Sequence, residues 1–447
     1  MNLQQTFGKY RFSLSIILSL ALGFVLRVYL TRHGNFGDVS VFTEWGARFW
    51  DINLQQYYFD KGWYYSYPTY PPISTLMYGA LYWLYERRYI LAQIHNAVKI
   101  IPSSFIIYFG KAAPDDPFQY GYGYFMLLKL PAILADLGIS VVIYKIIEKI
   151  TGNRNRAFLG MLFYLFNPVS ILLSGVWGQT ESLVAFFGLL AFIFLVSGKL
   201  WLSLPFMFLS LYIKPTWMVL MPLYLFLTYK AKKDTKNVAV GILIVFLIFL
   251  FSTYPFSGSE MFLFIKDSLL GNILPSAKGT AMASVSAFNF YTIFYQIDKV
   301  LASRTFIGIP INILGLIMFV IINVFVFFNL SRKKENDLYQ VIFAVFLISM
   351  GGYLFLTNML ERYFFASFAP MIVIATVKPR KFLLVLVLNL ILFANLTWAF
   401  YRRSVGTIDH LFADNNFILI RVLSLVVVVF YIRIAFAGKL QVFRKKL

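Results

Sequence analysis

Two carboxylates, Asp38 and Glu44, stand in Gly37-Asp38-Val39-Ser40-Val41-Phe42-Thr43-Glu44-Trp45, just beyond the first apolar segment of a chain that is otherwise largely apolar. Only 19 Asp and Glu occur among 447 residues, and an ionised side chain near hydrocarbon costs roughly 2.5–3.5 kcal/mol on insertion scales. Acids kept at such a boundary are candidates for chemistry. A carboxylate at a membrane surface can take the proton of a hydroxyl nucleophile, and Asp38, in a loop after Gly37, is the first candidate for that work. Its competing role is a helix cap for a segment running from Val39 to Trp50, a common use of Asp. Glu44 could orient Asp38, bind hydroxyls of an acceptor, or stand as a solvated acid.

The elements that would position these acids follow from composition. Hydrophobic residues make up 60% of the chain and charged residues 13%, with a mean hydropathy of +0.73, beyond what a soluble domain carries. The expected fold is all-α, a polytopic membrane bundle. Apolar segments of spanning length lie near residues 13–30, 123–145, 157–174, 181–198, 200–213, 215–229, 237–255, 307–330, 338–357, 363–377, 382–400 and 416–437. These give about twelve spans, the first read as a retained helix rather than a removed signal. The apolar runs Pro72 to Tyr85 and Lys99 to Phe109 are short for a crossing and are expected to lie in the interface. Read as short spans instead, they would raise the count to about fourteen.

The formal charge is +21, yet the basic residues fall in short clusters between apolar segments, a pattern that sets topology and does not suit nucleic-acid binding. Lys9/Arg11, Lys145 to Arg156, Lys199, Lys230 to Lys236, Arg332 to Lys334, Lys378 to Lys381 and Arg444 to Lys446 occupy alternate connections. The positive-inside rule puts those connections and both termini in the cytoplasm. Residues 31–122, the turn Trp177 to Glu181, Lys214-Pro215, the loop 256–306, Asn358 to Arg362 and Tyr401 to Asn415 then face outward. The chain reads as one domain over 1–447, with the loops 31–122 and 256–306 forming its working face. The absence of Cys excludes disulfides and a thiolate nucleophile.

The order of these outer features resembles the C-type glycosyltransferases, multi-span enzymes that move a sugar from a polyprenyl-phosphate carrier to an acceptor outside the cytoplasm. The resemblance covers most of the chain. It begins with Gly37-Asp38 and Glu44 and continues with Tyr70-Pro71-Pro72-Ile73, similar to a Tyr-Pro-Pro-Leu of N-glycan-pathway glucosyltransferases. Asn167-Pro168 and Trp177-Gly178-Gln179-Thr180-Glu181 are close to the Asn-Pro and Trp-Gly-Gln-x-Asp of bacterial relatives and mannosyltransferases. Ser286-Ala287-Phe288-Asn289-Phe290-Tyr291 resembles an Asn-aromatic segment, and Asn358-Met359-Leu360-Glu361-Arg362-Tyr363 resembles a Met-His-Glu-Arg-Tyr motif. Leu360 replaces the His of the last motif, and Glu181 keeps the carboxylate of the usual Asp with a longer reach.

The resemblance implies an inverting transfer of a hexose, mannose or glucose, with Asp38 as base. A leaving phosphate must be held by cations as charge develops on its oxygen. Arg362, with Glu361 as its orienting partner, is the first choice; its alternative is interfacial snorkelling. Lys214, a cation on the outward face where positive residues are scarce, is the second. Tyr70, Trp177, Gln179, Glu181 and Asn289 are candidates to contact sugar or acceptor, against caps and an interfacial Trp as the plainer roles. The stretch after Asn167-Pro168 reads as a re-entrant element lining a cavity.

Asp136, inside a span, is expected to pair with a cation or polar backbone in the bundle. His33, His95 and His410 show no ligand spacing, so no cofactor and no obligatory metal are expected, although a divalent ion is compatible with the chemistry. The expected partners are a polyprenyl-phosphate-linked sugar, a glycolipid, glycan or protein acceptor, and membrane lipids, in an outward-facing site of a prokaryotic cytoplasmic membrane. A polysaccharide polymerase or ligase is the nearest alternative. A lipid or sugar transporter or flippase is the other, disfavoured because the acids crowd one face and no internal repeat is visible.

Overall fold

The computed structural model describes residues 3–34, 37–99, 102–112, 120–231, 235–273, 281–332 and 337–436. The described chain is an all-α polytopic membrane protein. Its small antiparallel hairpin, Thr305–Phe306 with Ile309–Pro310, leads into a helix at Ile311.

Among the described residues eight helices are long and apolar enough to cross a membrane: Phe12–Leu30, Tyr122–Thr151, Arg154–Trp177, Thr235–Ser257, Ile311–Ser331, Leu338–Phe355, Pro379–Tyr401 and Phe417–Phe436. All twelve expected apolar segments are helical, and these eight account for the longest of them. The other four apolar segments are helical but shorter. Glu181–Val196, Leu200–Ile213 and Phe365–Val377 have 16, 14 and 13 residues, and Pro215–Leu220 is a 3-10 turn running into Met221–Lys230. At about 1.5 Å per residue, such helices fall short of the roughly 30 Å hydrocarbon layer. An apolar run announces burial; whether lipid or protein does the burying depends on its neighbours.

Those neighbours sort the helices into two classes. Leu338–Phe355 is 83% buried along its apolar window, and Tyr122–Thr151 and Arg154–Trp177 are 61% buried. Phe12–Leu30, Thr235–Ser257 and Ile311–Ser331 are only 11%, 17% and 28% buried, so their outward apolar faces suit hydrocarbon. The stretch after Asn167-Pro168 is not re-entrant. Asn167 caps a new turn by accepting the Val169 N–H, Pro168 stops the preceding helix, and the chain continues through a π-helical segment Ile171–Trp177 as the second half of a broken span.

The buried carboxylate of the span Tyr122–Thr151 is paired, as the cost of an orphan charge requires. Asp136 accepts from Arg27 at 3.1 Å, Tyr164 Oη at 2.7 Å and Ser174 Oγ at 2.6 Å, while Arg27 also donates to Ser170 Oγ at 2.9 Å. Asp136 therefore has the structural cation partner expected of it.

The first outer segment carries Asp38–Asp51, Pro72–Glu86, Tyr89–Val98 and Ser103–Gly110. The second apolar run is helical only from Ser103, and the helix at Tyr89 was not anticipated. The last helix begins at Gly406, so it absorbs most of the expected loop Tyr401 to Asn415. The antiparallel succession of helices gathers Asp38, the turn Trp177 to Glu181, Lys214 and Arg362 at one end of the bundle. Lys145, Arg154, Lys230 and Lys381 lie at the other. There Lys230 Nζ donates to the Leu330 carbonyl at 2.6 Å and Lys381 Nζ to Ile434 at 2.7 Å. Lys232, Lys233, Lys333, Lys334 and Arg444 to Lys446 lie outside the described residues, as do 274–280 of the outer loop.

Candidate functional site

Each arm of the site is set by a local break in helix. Gly37 takes φ 63°, where glycine carries no steric penalty, and turns the chain into the helix Asp38–Asp51. Asp38 is the first residue of that helix, where a negative charge is favoured by the helix dipole. Its carboxylate does not cap its own helix. Instead Asp38 Oδ2 accepts from Trp177 Nε1 at 3.0 Å and from Gln179 Nε2. Lys214 is held extended, φ −158° and ψ 124°, because the following Pro215 disfavours helical backbone before it; this ends the helix Leu200–Ile213. Tyr70 precedes Pro71 and Pro72, and the latter starts the helix Pro72–Glu86.

These breaks bring eight of the ten candidate residues into one connected cluster. Lys214 Nζ is 2.5 Å from Glu181 Oε1, 3.4 Å from Gln179 Oε1 and 4.9 Å from the Tyr70 ring centroid. Arg362 is 2.7 Å from Glu361 Oε1 and 3.4 Å from Glu181 Oε1, and its guanidinium lies 5.4 Å from the Trp177 ring centroid. Asp38, Tyr70, Lys214 and Arg362 line a cavity of about 510 Å³, whose other walls include Thr69, Ser349, Tyr353 and Tyr363 on the polar side. Pro215, Met218, Val219, Leu356 and Met359 supply the apolar side. Gln179, Glu181, Trp177 and Glu361 stand behind this surface as partners of the residues that line it.

The electrostatics are finely opposed. Two cations face three carboxylates, so a phosphate entering the cavity must displace carboxylate contacts. Burial pushes the Glu361 carboxyl above the usual range, with Arg362 acting in the other direction. For Arg362, burial works against the charge, but Asp38, Glu361 and Glu181 outweigh it and hold the guanidinium charged. Glu181 Oε2 and Arg362 Nε are buried with no hydrogen-bond partner, which marks a site with unused polar capacity. Among the described residues no group of three or more His, Asp or Glu is placed to hold a metal ion.

Two candidates lie apart from the connected cluster. Glu44 is buried, not solvated, and its two oxygens accept the backbone N–H groups of Tyr64 at 2.5 Å and Tyr65 at 2.8 Å, with Arg48 3.7 Å away. Asn289 Oδ1 accepts the N–H of Tyr291 at 3.1 Å, fastening a turn of the second loop. That loop is stitched to the Arg362 segment. Asn358 Oδ1 accepts the Met282 N–H at 2.7 Å, and the Val285 N–H reaches the Met359 carbonyl at 3.1 Å. Leu360 pairs by backbone with Val285 and Ser286, so the position of the motif's His serves the joint between loop and span.

Sequence reasoning missed Tyr353, Ser349 and Lys129. The first two carry no signal beyond their place on a buried helix. Lys129 did carry one, a lone cation within an apolar span.

The family model for the GPI transamidase subunit PIG-U matches residues 95–276, less than half of the 447-residue chain. That segment holds Trp177, Gln179, Glu181 and Lys214 but neither Asp38 nor Arg362. No curated protein matches the chain. Over that central segment the chain is similar to a family of membrane proteins named for GPI transamidase.

Proposed function

We propose that this protein is an inverting glycosyltransferase that takes a hexose, mannose or glucose, from a polyprenyl-phosphate carrier on the outer or lumenal face of a membrane. The observation that carries this reading is the make-up of one cavity. Asp38, Lys214 and Arg362 line one cavity of about 510 Å³ together with Met218, Val219, Leu356 and Met359. A lipid monophosphate sugar needs that combination of cation, carboxylate and apolar wall.

In the proposed step, an acceptor hydroxyl gives its proton to Asp38 as its oxygen bonds to the anomeric carbon. The bond from that carbon to the phosphate oxygen breaks, and the electron pair leaves on the phosphate. Trp177 and Gln179 both donate to Oδ2, so Oδ1 is the oxygen left for the acceptor. Arg362 and Lys214 meet the developing phosphate charge, with Glu181 and Glu361 yielding part of their contact. The two-ended charge distribution supports an orientation with the basic end in the cytoplasm, and the similarity to a family in a lipid-linked glycan pathway supports the substrate class.

The test is transfer of radiolabelled sugar from synthetic polyprenyl-phosphate mannose or glucose to a panel of glycolipid, glycan and peptide acceptors. Wild type should incorporate label and Asp38→Asn should lose it. Equal incorporation by both removes Asp38 as base.

A second reading has its own support. The matching family is described as a subunit, and a chain that binds a lipid-linked glycan for a partner enzyme would need the same cavity without turnover. Saturable donor binding with no incorporation on any acceptor favours that reading.

A further inference from the structure

Lys129 is buried within the span Tyr122–Thr151, and its Nζ donates to three backbone carbonyls, Thr31 at 2.9 Å, His33 at 2.8 Å and Val176 at 2.7 Å. The acceptors belong to two separate stretches of chain. Thr31 and His33 follow the first helix on the way to Asp38, whereas Val176 immediately precedes Trp177. Both stretches are helix ends whose carbonyls lack intrahelical partners. One ammonium, reaching from a third element, thus joins the strand of chain that delivers the carboxylate to the one that delivers its two donors.

The packing around this joint is tight. Gly178 sits at φ 79°, and a Cβ there would come within 2.8 Å of Lys129 Cγ and 3.1 Å of Val39 Cγ2. Gly34, at φ 68°, has equally little room, with the Val176 carbonyl oxygen 2.7 Å from where a Cβ would stand. The Lys129 stem therefore lies pressed against the glycine between Trp177 and Gln179, beside the residue that follows Asp38.

We propose that Lys129 is a positioning residue for Asp38. It fixes the separation between the Asp38 helix and the Trp177–Gln179 turn, and so decides how Asp38 Oδ1 is aimed into the cavity. This rests on the reading of Asp38 as base for its kinetic consequence, but not for its geometric one. Misplacing a catalytic group by about 1 Å costs on the order of 100-fold in rate, so the loss should fall on kcat and leave donor KM in place.

The chain has no Cys, so introduced pairs report geometry directly. Asp38→Cys with Gln179→Cys should be joined efficiently by a short bifunctional thiol-alkylating reagent, and adding Lys129→Met should abolish most of that crosslink in protein that still elutes as a folded species. In separate molecules with Asp38 intact, Lys129→Met should lower kcat about 100-fold at unchanged donor KM. Should Lys129→Met fail to fold, Lys129→Gln, which keeps a donor but cannot reach all three carbonyls, should weaken the crosslink in the same way. An undiminished crosslink in a folded variant overturns the proposal. Absence of sugar transfer by wild type would remove the donor reading alone, since the crosslink still decides the role of Lys129.

Discussion

At Asp38 the question is which oxygen works. Oδ2 is committed to Trp177 and Gln179, so Asp38→Asn should keep donor binding yet lower turnover by about 10²–10⁴, the range general-base catalysis contributes. Donor Kd and kcat measured on the same preparation separate the two effects. Arg362→Ala should do the reverse, raising donor KM well before it alters acceptor KM. Unchanged donor dependence would remove Arg362 from the phosphate. Glu361 gives a pH test. Its folded-state pKa is raised by burial, so the native fold favours the protonated form; that stability is complete below the unfolded pKa and is lost as pH rises through the folded one. Protonation also takes one carboxylate from Arg362. Donor affinity should therefore strengthen as pH falls through the folded pKa, above the ordinary glutamate range, and Glu361→Gln should flatten the dependence in binding isotherms taken across pH.

Among the elements, the helix Asp38–Asp51 and the loop after it act as one piece. Phe42 stacks on Tyr78 at 4.7 Å between ring centroids, Trp45 Nε1 donates to the Ser66 carbonyl at 2.8 Å, and Glu44 grips the amides of Tyr64 and Tyr65. Hydrogen bonds to a charged group are worth about 1.5–3 kcal/mol each. Glu44→Ala should therefore lower the thermal midpoint in detergent clearly while donor Kd stays near wild type; the opposite pattern would return Glu44 to the site. Arg27 and Asp136 tie the first helix to the broken span. Removing one partner of a buried pair costs about 3–5 kcal/mol, because the other charge is left stranded. Asp136→Asn alone should destabilise more than Arg27→Met with Asp136→Asn together, a comparison that thermal unfolding of the three proteins decides. Lys214 shows how an element boundary is written locally: Pro215 dictates the extended residue before it, and that residue carries the cation. Glu44 shows the reverse, since nothing near it in sequence announces that residues 64 and 65 return to its oxygens.

For the whole molecule, the decisive property is sidedness. The cluster of Asp38, Glu181, Lys214 and Arg362 lies at one end of the bundle, and Lys145, Arg154, Lys230 and Lys381 at the other. A single cysteine at the exposed Tyr64 and another at Arg154, each in the cysteine-free chain, should react with a membrane-impermeant thiol reagent from opposite sides of sealed vesicles. Labelling from the same side would overturn the topology on which the lumenal reading depends. The sequence by itself determined the class of solvent, the helical fold and the alternation of basic and acid-bearing connections, because hydropathy and the cost of charge in hydrocarbon act residue by residue along the chain. Tertiary structure alone decided which apolar helices are covered by neighbours and which keep an open apolar face, and that Asp136 meets Arg27 across 109 positions of chain. It also decided that Glu44 holds its own loop while Lys129 reaches three carbonyls beside Asp38. Burial and hydrogen bonding are properties of what surrounds a residue, and in a bundle of packed helices those surroundings come from distant parts of the chain.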